Sequence, residues 1–152
     1  MAKLTFYTNP MSRGRIARWM IEEVGADYNT VYLSYDDTMK SRDYLDINPM
    51  GTVPAIKHGE TVVTECAAIC AYLADAFPEA GLAPPTDQRG DYYRWLFFAA
   101  GPVESATLNK ALNINTEGKE QTAGYGSFEM MRATLIKAVS GTAFICGDQL
   151  TA

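Results

Sequence analysis

Apolar positions in the first half of this chain switch between strand and helix spacing, and each switch falls at a breaker. Residues 4–8 (Leu4-Thr5-Phe6-Tyr7-Thr8) form a short apolar and aromatic run that predicts a strand. Ile16, Trp19, Met20 and Val24 recur at helical spacing ahead of Gly25, which predicts a helix over 12–24. Tyr28, Val31 and Leu33 stand among polar neighbours and predict a second strand over 28–33, followed by a short helix near 42–47. Residues 53–56 and 61–63 read as two strands joined by the turn Lys57-His58-Gly59-Glu60, and 66–77 as an apolar helix headed by Thr64-Glu65. The order β-α-β-α-β-β-α predicts a small α/β sandwich: a mixed sheet with helices on one face, opened by a right-handed βαβ unit.

The pattern changes after Pro78. Gly81, Pro84 and Pro85 mark 79–87 as a linker between a domain over 1–78 and an all-α domain over 88–152. Residues 91–112 read as one long helix rich in aromatics (Tyr92, Tyr93, Trp95, Phe97, Phe98). Gly101-Pro102 is expected to kink it, because proline removes a backbone donor and crowds the preceding turn. A second helix is expected over 127–139 with Met130, Met131, Leu135 and Ile136 on its apolar side, and 147–151 reads as the approach to another, capped by Thr151.

Composition narrows the partners. A chain of 152 residues with 47% hydrophobic content can bury one good core, or one domain and part of a second. A net charge of −5, with no basic cluster longer than Arg13-Gly14-Arg15, argues against nucleic acid and anionic membrane and for a small ligand. No apolar run approaches the roughly 20 residues that span a bilayer, and the first residues lead into a strand rather than a signal sequence. A cytoplasmic location is therefore expected. Cys66, Cys70 and Cys146 have neither zinc nor disulfide-framework spacing, so reduced thiols are expected, and with His58 the single histidine no metal site is.

Two segments carry candidate chemistry. In the first, 48–66, a strand opening on Val53-Pro54 offers main-chain hydrogen bonds along an edge. The helix start at Thr64-Glu65-Cys66 offers free N–H groups and a positive dipole end, which suit a carboxylate. Together they suggest a peptide-like ligand. The second is the first βα turn, Asn9-Pro10-Met11-Ser12, where thioredoxin-like folds place a redox Cys-x-x-Cys. Asn9 and Ser12 occupy the two thiol positions, which excludes disulfide exchange by that route. The Ser12 hydroxyl either caps the helix or donates a hydrogen bond to a thiolate brought by a ligand. Glu65 is either a ligand contact or an acid favourable to the helix dipole. Cys66 and Cys70 share a helix face, where burial is expected. His58 is expected exposed in its turn, and Arg13, Arg15 and Arg18 paired with Glu22 and other carboxylates.

Three segments in this order, Phe6-Tyr7-Thr8-Asn9-Pro10-Met11-Ser12-Arg13-Gly14-Arg15, Asn48-Pro49-Met50-Gly51-Thr52-Val53-Pro54-Ala55-Ile56 and Thr64-Glu65-Cys66-Ala67-Ala68-Ile69, resemble the cytosolic glutathione S-transferases, in the bacterial and fungal branch with a serine-type active site. The resemblance implies a thioredoxin-like N-terminal domain followed by an all-α domain. It implies an enzyme that joins the glutathione thiolate to a small hydrophobic electrophile in detoxification. The alternatives are a glutathione-dependent reductase or isomerase, or a non-catalytic glutathione-binding protein. Glutathione is then a co-substrate, and no metal is required. By the same resemblance, the Val53–Pro54 bond is cis and Val53 pairs with the cysteinyl unit. Glu65 accepts the γ-glutamyl ammonium, and Cys66 holds the γ-glutamyl carboxylate mainly through its N–H. Thr52 stands where lysine or glutamine is usual, with Lys40 a candidate replacement for that charge. Ser12 ranks first as thiol activator, ahead of Asn9 and Tyr7, while Met11 and the 92–102 region wall an apolar cleft. A homodimer is implied, with Met50 and the third helix near its axis. Family members continue past the equivalent of Ala152, so the helical domain is expected to be partial.

Overall fold

Alternation along the first strand sets the architecture. The computed structural model describes residues 3–152, and in β1 (Leu4–Thr8) Leu4, Phe6 and Thr8 are buried while Thr5 and Tyr7 between them are half-buried. The chain continues through α1 (Gly14–Glu23), β2 (Tyr28–Tyr32), α2 (Arg42–Leu45), β3 (Ala55–His58), β4 (Thr61–Thr64) and α3 (Cys66–Ala76). The sheet order is β2-β1-β3-β4, with β1 parallel to β2 and antiparallel to β3, and β3 antiparallel to β4. Phe6 lies opposite Ile56 in the register, both fully buried, under α1 and α3. At about 25 cal/mol per Å², such side chains contribute roughly 1.5–3 kcal/mol each.

The buried stripe of α1 is Ala17, Met20 and Ile21, continued by Val24 at its C-terminal cap in an i, i+3, i+4, i+7 set, whereas Ile16 and Trp19 are 45% and 64% exposed. Trp19 instead donates its Nε1–H to Glu23 Oε1 at 2.6 Å. Helices do not cover one face alone. Tyr7 and Ala55 are register partners on the face opposite Phe6, and Tyr44 of α2, Met39 and Leu33 close over them as a second small cluster. Strand β3 begins at Ala55 rather than Val53, since Pro54 has no N–H to give a ladder. The hairpin turn shrinks to Gly59-Glu60, with Gly59 at φ +61°. His58 is therefore the last residue of β3 and half-buried, with Nδ1 3.0 Å from Tyr72 Oη and its ring stacked on Phe77.

Cys70 is buried on α3, while Cys66 stays half-buried at its first turn. Burial, and then the neighbouring Cys66, push the Cys70 thiol up to about 11 from 9.0. The neutral thiol is thus favoured by folding. Its contribution is fully present below pH 9 and is lost as pH rises towards 11, with a slope of at most about 1.4 kcal/mol per pH unit. Urea melts at pH 8, 9.5 and 11 should show this fall, and Cys70→Ala should flatten it.

The described residues divide into two units, one ending at Leu82 but including Ala152, the other Ala83–Thr151. In the second unit, α4 (Gly90–Phe98) passes through a π-helical turn, Ala99–Val103, into α5 (Glu104–Ala111). Pro102 sits in that turn, whose wider winding accommodates the missing N–H. After α6 (Glu120–Ala123), Ser127 accepts the Met130 N–H at 3.1 Å and caps α7 (Phe128–Val139). Met131 is buried there, but Met130 and Ile136 are 63% and 45% exposed, so the apolar side expected on this helix is only partly covered within its unit. The 147–151 segment is irregular. No helix among the described residues is long and apolar enough to cross a membrane.

Candidate functional site

The βα turn after β1 is built around one serine hydroxyl. Ser12 Oγ donates to the Asn9 carbonyl at 2.7 Å and accepts the Gly14 N–H at 2.9 Å. It satisfies a donor at the start of α1 and holds the turn closed, while remaining half-buried. The helix can start this close to β1 because residue 14 is glycine: a Cβ there would strike Thr8 Oγ1 and come within 2.9 Å of Ser12 Oγ. Spacing alone did not single out Gly14.

Asn48 and Tyr44 build the second wall. Buried Asn48 donates from Nδ2 to the Thr52 carbonyl at 2.8 Å, and its Oδ1 accepts the Met50 N–H at 3.2 Å. The Tyr44 hydroxyl donates to the same Thr52 carbonyl at 2.6 Å. Burial pushes that hydroxyl's pKa up, which keeps it a donor. Lys40 Nζ donates to the Gly51 carbonyl at 2.7 Å, where Gly51 takes φ +58°. These bonds fix the chain up to Thr52. The next residue, Val53, has no hydrogen-bond partner for its N–H or C=O among the described residues, and the bond to buried Pro54 is cis.

These two walls face one cavity of about 540 Å³, lined by Met11, Ser12, Lys40, Thr52 and Val53 among others. Arg13 and Arg15 also line it, and its lining includes no acid. A site of this make-up attracts an anionic ligand and offers it the free main-chain N–H and C=O of Val53, just ahead of β3. Met11, 78% exposed, gives it an apolar rim. Glu65 and Cys66 are outside the lining but adjacent, since Cys66 Sγ donates to the Arg13 carbonyl at 3.6 Å and so ties the start of α3 to the start of α1. Glu65 is exposed and precedes α3 at φ +70°, a conformation that costs a side-chain-bearing residue about 1–3 kcal/mol.

The other sequence candidates are occupied. Tyr7 packs against Tyr44, with ring centroids 5.6 Å apart and the planes tilted by 43°, and does not line the cavity. Both polar atoms of the Asn9 amide are bonded within unit one. Of the arginines, Arg18 pairs with Glu22 at 3.6 Å as expected, whereas Arg15 donates to the Pro10 carbonyl at 2.9 Å. Tyr44 and Asn48 hold the Thr52 carbonyl beside the cavity, a role that spacing along the sequence did not single out. The available signal was the asparagine before Pro49, a residue type that bonds its own backbone in turns.

Comparison with known proteins gives a consistent picture. Residues 2–75 match the family model described as glutathione S-transferase, N-terminal domain. A curated relative, glutathione S-transferase Z2 of Arabidopsis thaliana, is 38% identical over 130 residues, which cover 80% of this chain and 57% of that protein. The chain thus spans little more than half the length of that relative. Among solved structures, a glutathione transferase from Methylococcus capsulatus superposes with TM-score 0.76 at 26% identity, over 97% of this chain and 75% of that one. The glutathione transferase URE2P6 from Phanerochaete chrysosporium, solved with oxidised glutathione, gives TM-score 0.79 at 22% identity over 99% and 74% and shares the fold. The fold is thus a thioredoxin-like domain followed by a helical part.

Proposed function

We propose, from the match of residues 2–75 to the glutathione S-transferase N-terminal domain model, that the chain binds glutathione in extended form and attacks a small hydrophobic electrophile with its thiolate. The observation that carries this reading is the unpaired main chain of Val53 opening on the same cavity as the Ser12 hydroxyl. The Val53 N–H and C=O pair with the cysteinyl unit, which brings the ligand sulfur to the turn at Ser12. Glu65 takes the γ-glutamyl ammonium, and the Cys66 N–H, at the first turn of α3, takes its carboxylate. The glycyl carboxylate lies towards Thr52 and Lys40.

Ser12 then acts as the donor to the thiolate. Turning its proton from the Asn9 carbonyl to sulfur forfeits a neutral hydrogen bond of about 1 kcal/mol and gains a charged one of about 1.5–3 kcal/mol. The Gly14 N–H still holds the oxygen in place. Met11 contributes to the electrophile's apolar contacts. The active form in this reading is a homodimer in the cytoplasm, to which Met50, 72% exposed beside Gly51, offers an apolar contact.

A second reading, glutathione binding without catalysis, is favoured by one detail: the Ser12 proton already has a 2.7 Å partner in Asn9. Calorimetric titration with reduced glutathione, followed by conjugation assays with 1-chloro-2,4-dinitrobenzene, separates the two. A Kd at or below about 1 mM, or −4 kcal/mol, together with conjugation supports the transferase. Binding without conjugation supports the second reading, and no heat at several times that concentration overturns both.

A further inference from the structure

The amide of Asn9 makes two bonds that no other side chain of its size can make at once. Nδ2 donates to the Leu33 carbonyl at 2.7 Å, and Oδ1 accepts the Met11 N–H at 2.9 Å. The first bond extends the β1–β2 pairing past its last rung: the Leu33 N–H already bonds the Thr8 carbonyl at 2.9 Å, and the Asn9 amide takes the place of a main-chain donor for the next one. The second closes an Asx turn over Pro10. The Asn9 carbonyl meanwhile accepts from both Ser12 N–H, at 3.0 Å, and Ser12 Oγ, at 2.7 Å. Residue 9 is therefore anchored to the sheet by its side chain and holds Ser12 by its main chain.

We propose that Asn9 is a positioning residue for the thiol-activating hydroxyl: it fixes the 9–12 turn on the end of the sheet so that Ser12 Oγ meets the ligand sulfur in one orientation. The inference rests on the transferase reading for its catalytic consequence, though not for its geometry. Aspartate at this position would keep the acceptor for Met11 and lose the donor to Leu33. Alanine loses both.

The test is a double-mutant cycle read alongside amide hydrogen exchange. Asn9→Ala should lower kcat roughly 10-fold, since small misplacements of a reacting group are costly. It should move the pH–rate profile to higher pH and leave the KM for glutathione within about twofold. In a Ser12→Ala background the same change should have almost no further effect on kcat, because the two residues act as one unit. Exchange of the Met11 and Ser12 amides should quicken, while amides of β3 and α3 keep their protection. Multiplicative losses in the double variant overturn the proposal in favour of direct contact between Asn9 and sulfur, and unchanged exchange at Met11 and Ser12 also overturns it. If the parent binds glutathione and does not conjugate, the transferase reading falls, and the exchange measurement alone decides whether Asn9 holds the turn.

Discussion

Ser12→Ala should cut kcat/KM for conjugation by about 10²–10³-fold, the usual effect of removing one preorganised donor from a developing or resting anion. The Kd for glutathione should change by less than about threefold, under 1 kcal/mol, because the proposed main-chain contacts at Val53 and the charged contacts at Glu65 are untouched. The sign of the pH effect follows from the role. A hydrogen bond to the thiolate lowers the bound thiol's pKa, so its loss raises that pKa and shifts the acidic limb of the rate profile to higher pH. The hydroxyl also accepts the Gly14 N–H, so alanine is expected to cost about 1 kcal/mol of stability, as for a lost helix cap. Ser12→Thr, which keeps the hydroxyl, separates these effects by restoring most of the rate. A parent-like rate for Ser12→Ala in a folded, glutathione-binding protein would remove the hydroxyl from the mechanism.

The sequence was most informative where local rules and burial agree. Leu4–Thr8, the glycine-ended first helix and the proline-bearing segment before β3 each carry a period or a breaker that tertiary packing then keeps. It was least informative where a residue's neighbours lie far along the chain. Trp19 has helical spacing and apolar character, yet the strip beneath α1 takes Ala17 and Ile21, and only the sheet decides that. His58 read as a turn residue until Tyr72 of the later helix and Phe77 just after it supplied its partners. The site divides the same way. Ser12, Val53 and Glu65 could be proposed from sequence because a βα turn, a Val-Pro step and a helix start are local features. Tyr44, Asn48 and Gly14 could not, because their work is to hold Thr52 and Thr8 at distances set by the assembled fold.

Glu65→Gly offers a test in which stability and binding are expected to move in opposite directions. Glu65 sits at φ +70°, ψ +127°, immediately before α3, and its carbonyl accepts the Ile69 N–H at 2.9 Å as that helix's first bond. Strain of about 1–3 kcal/mol is tolerated there, which a merely dipole-friendly acid would not require. Glycine relieves the strain and adds about 0.5–1 kcal/mol of chain entropy to lose on folding. The balance favours the variant by about 1 kcal/mol, or a Tm rise of roughly 2–4 °C for a chain of this size. Glutathione affinity should meanwhile fall roughly 10- to 100-fold, the equivalent of a charge-assisted hydrogen bond to the γ-glutamyl ammonium. Glu65→Gln keeps the side chain's shape and the backbone strain but removes the charge, so it should reproduce most of the binding loss with no gain in Tm. Melting curves without ligand and glutathione titrations of the three proteins settle the matter. If Glu65→Gly melts lower than the parent and binds glutathione as well, the carboxylate is neither strained for a purpose nor part of the site. If it melts higher and binds weakly, the fold gives up stability at this residue to hold a charge where the ligand's ammonium arrives.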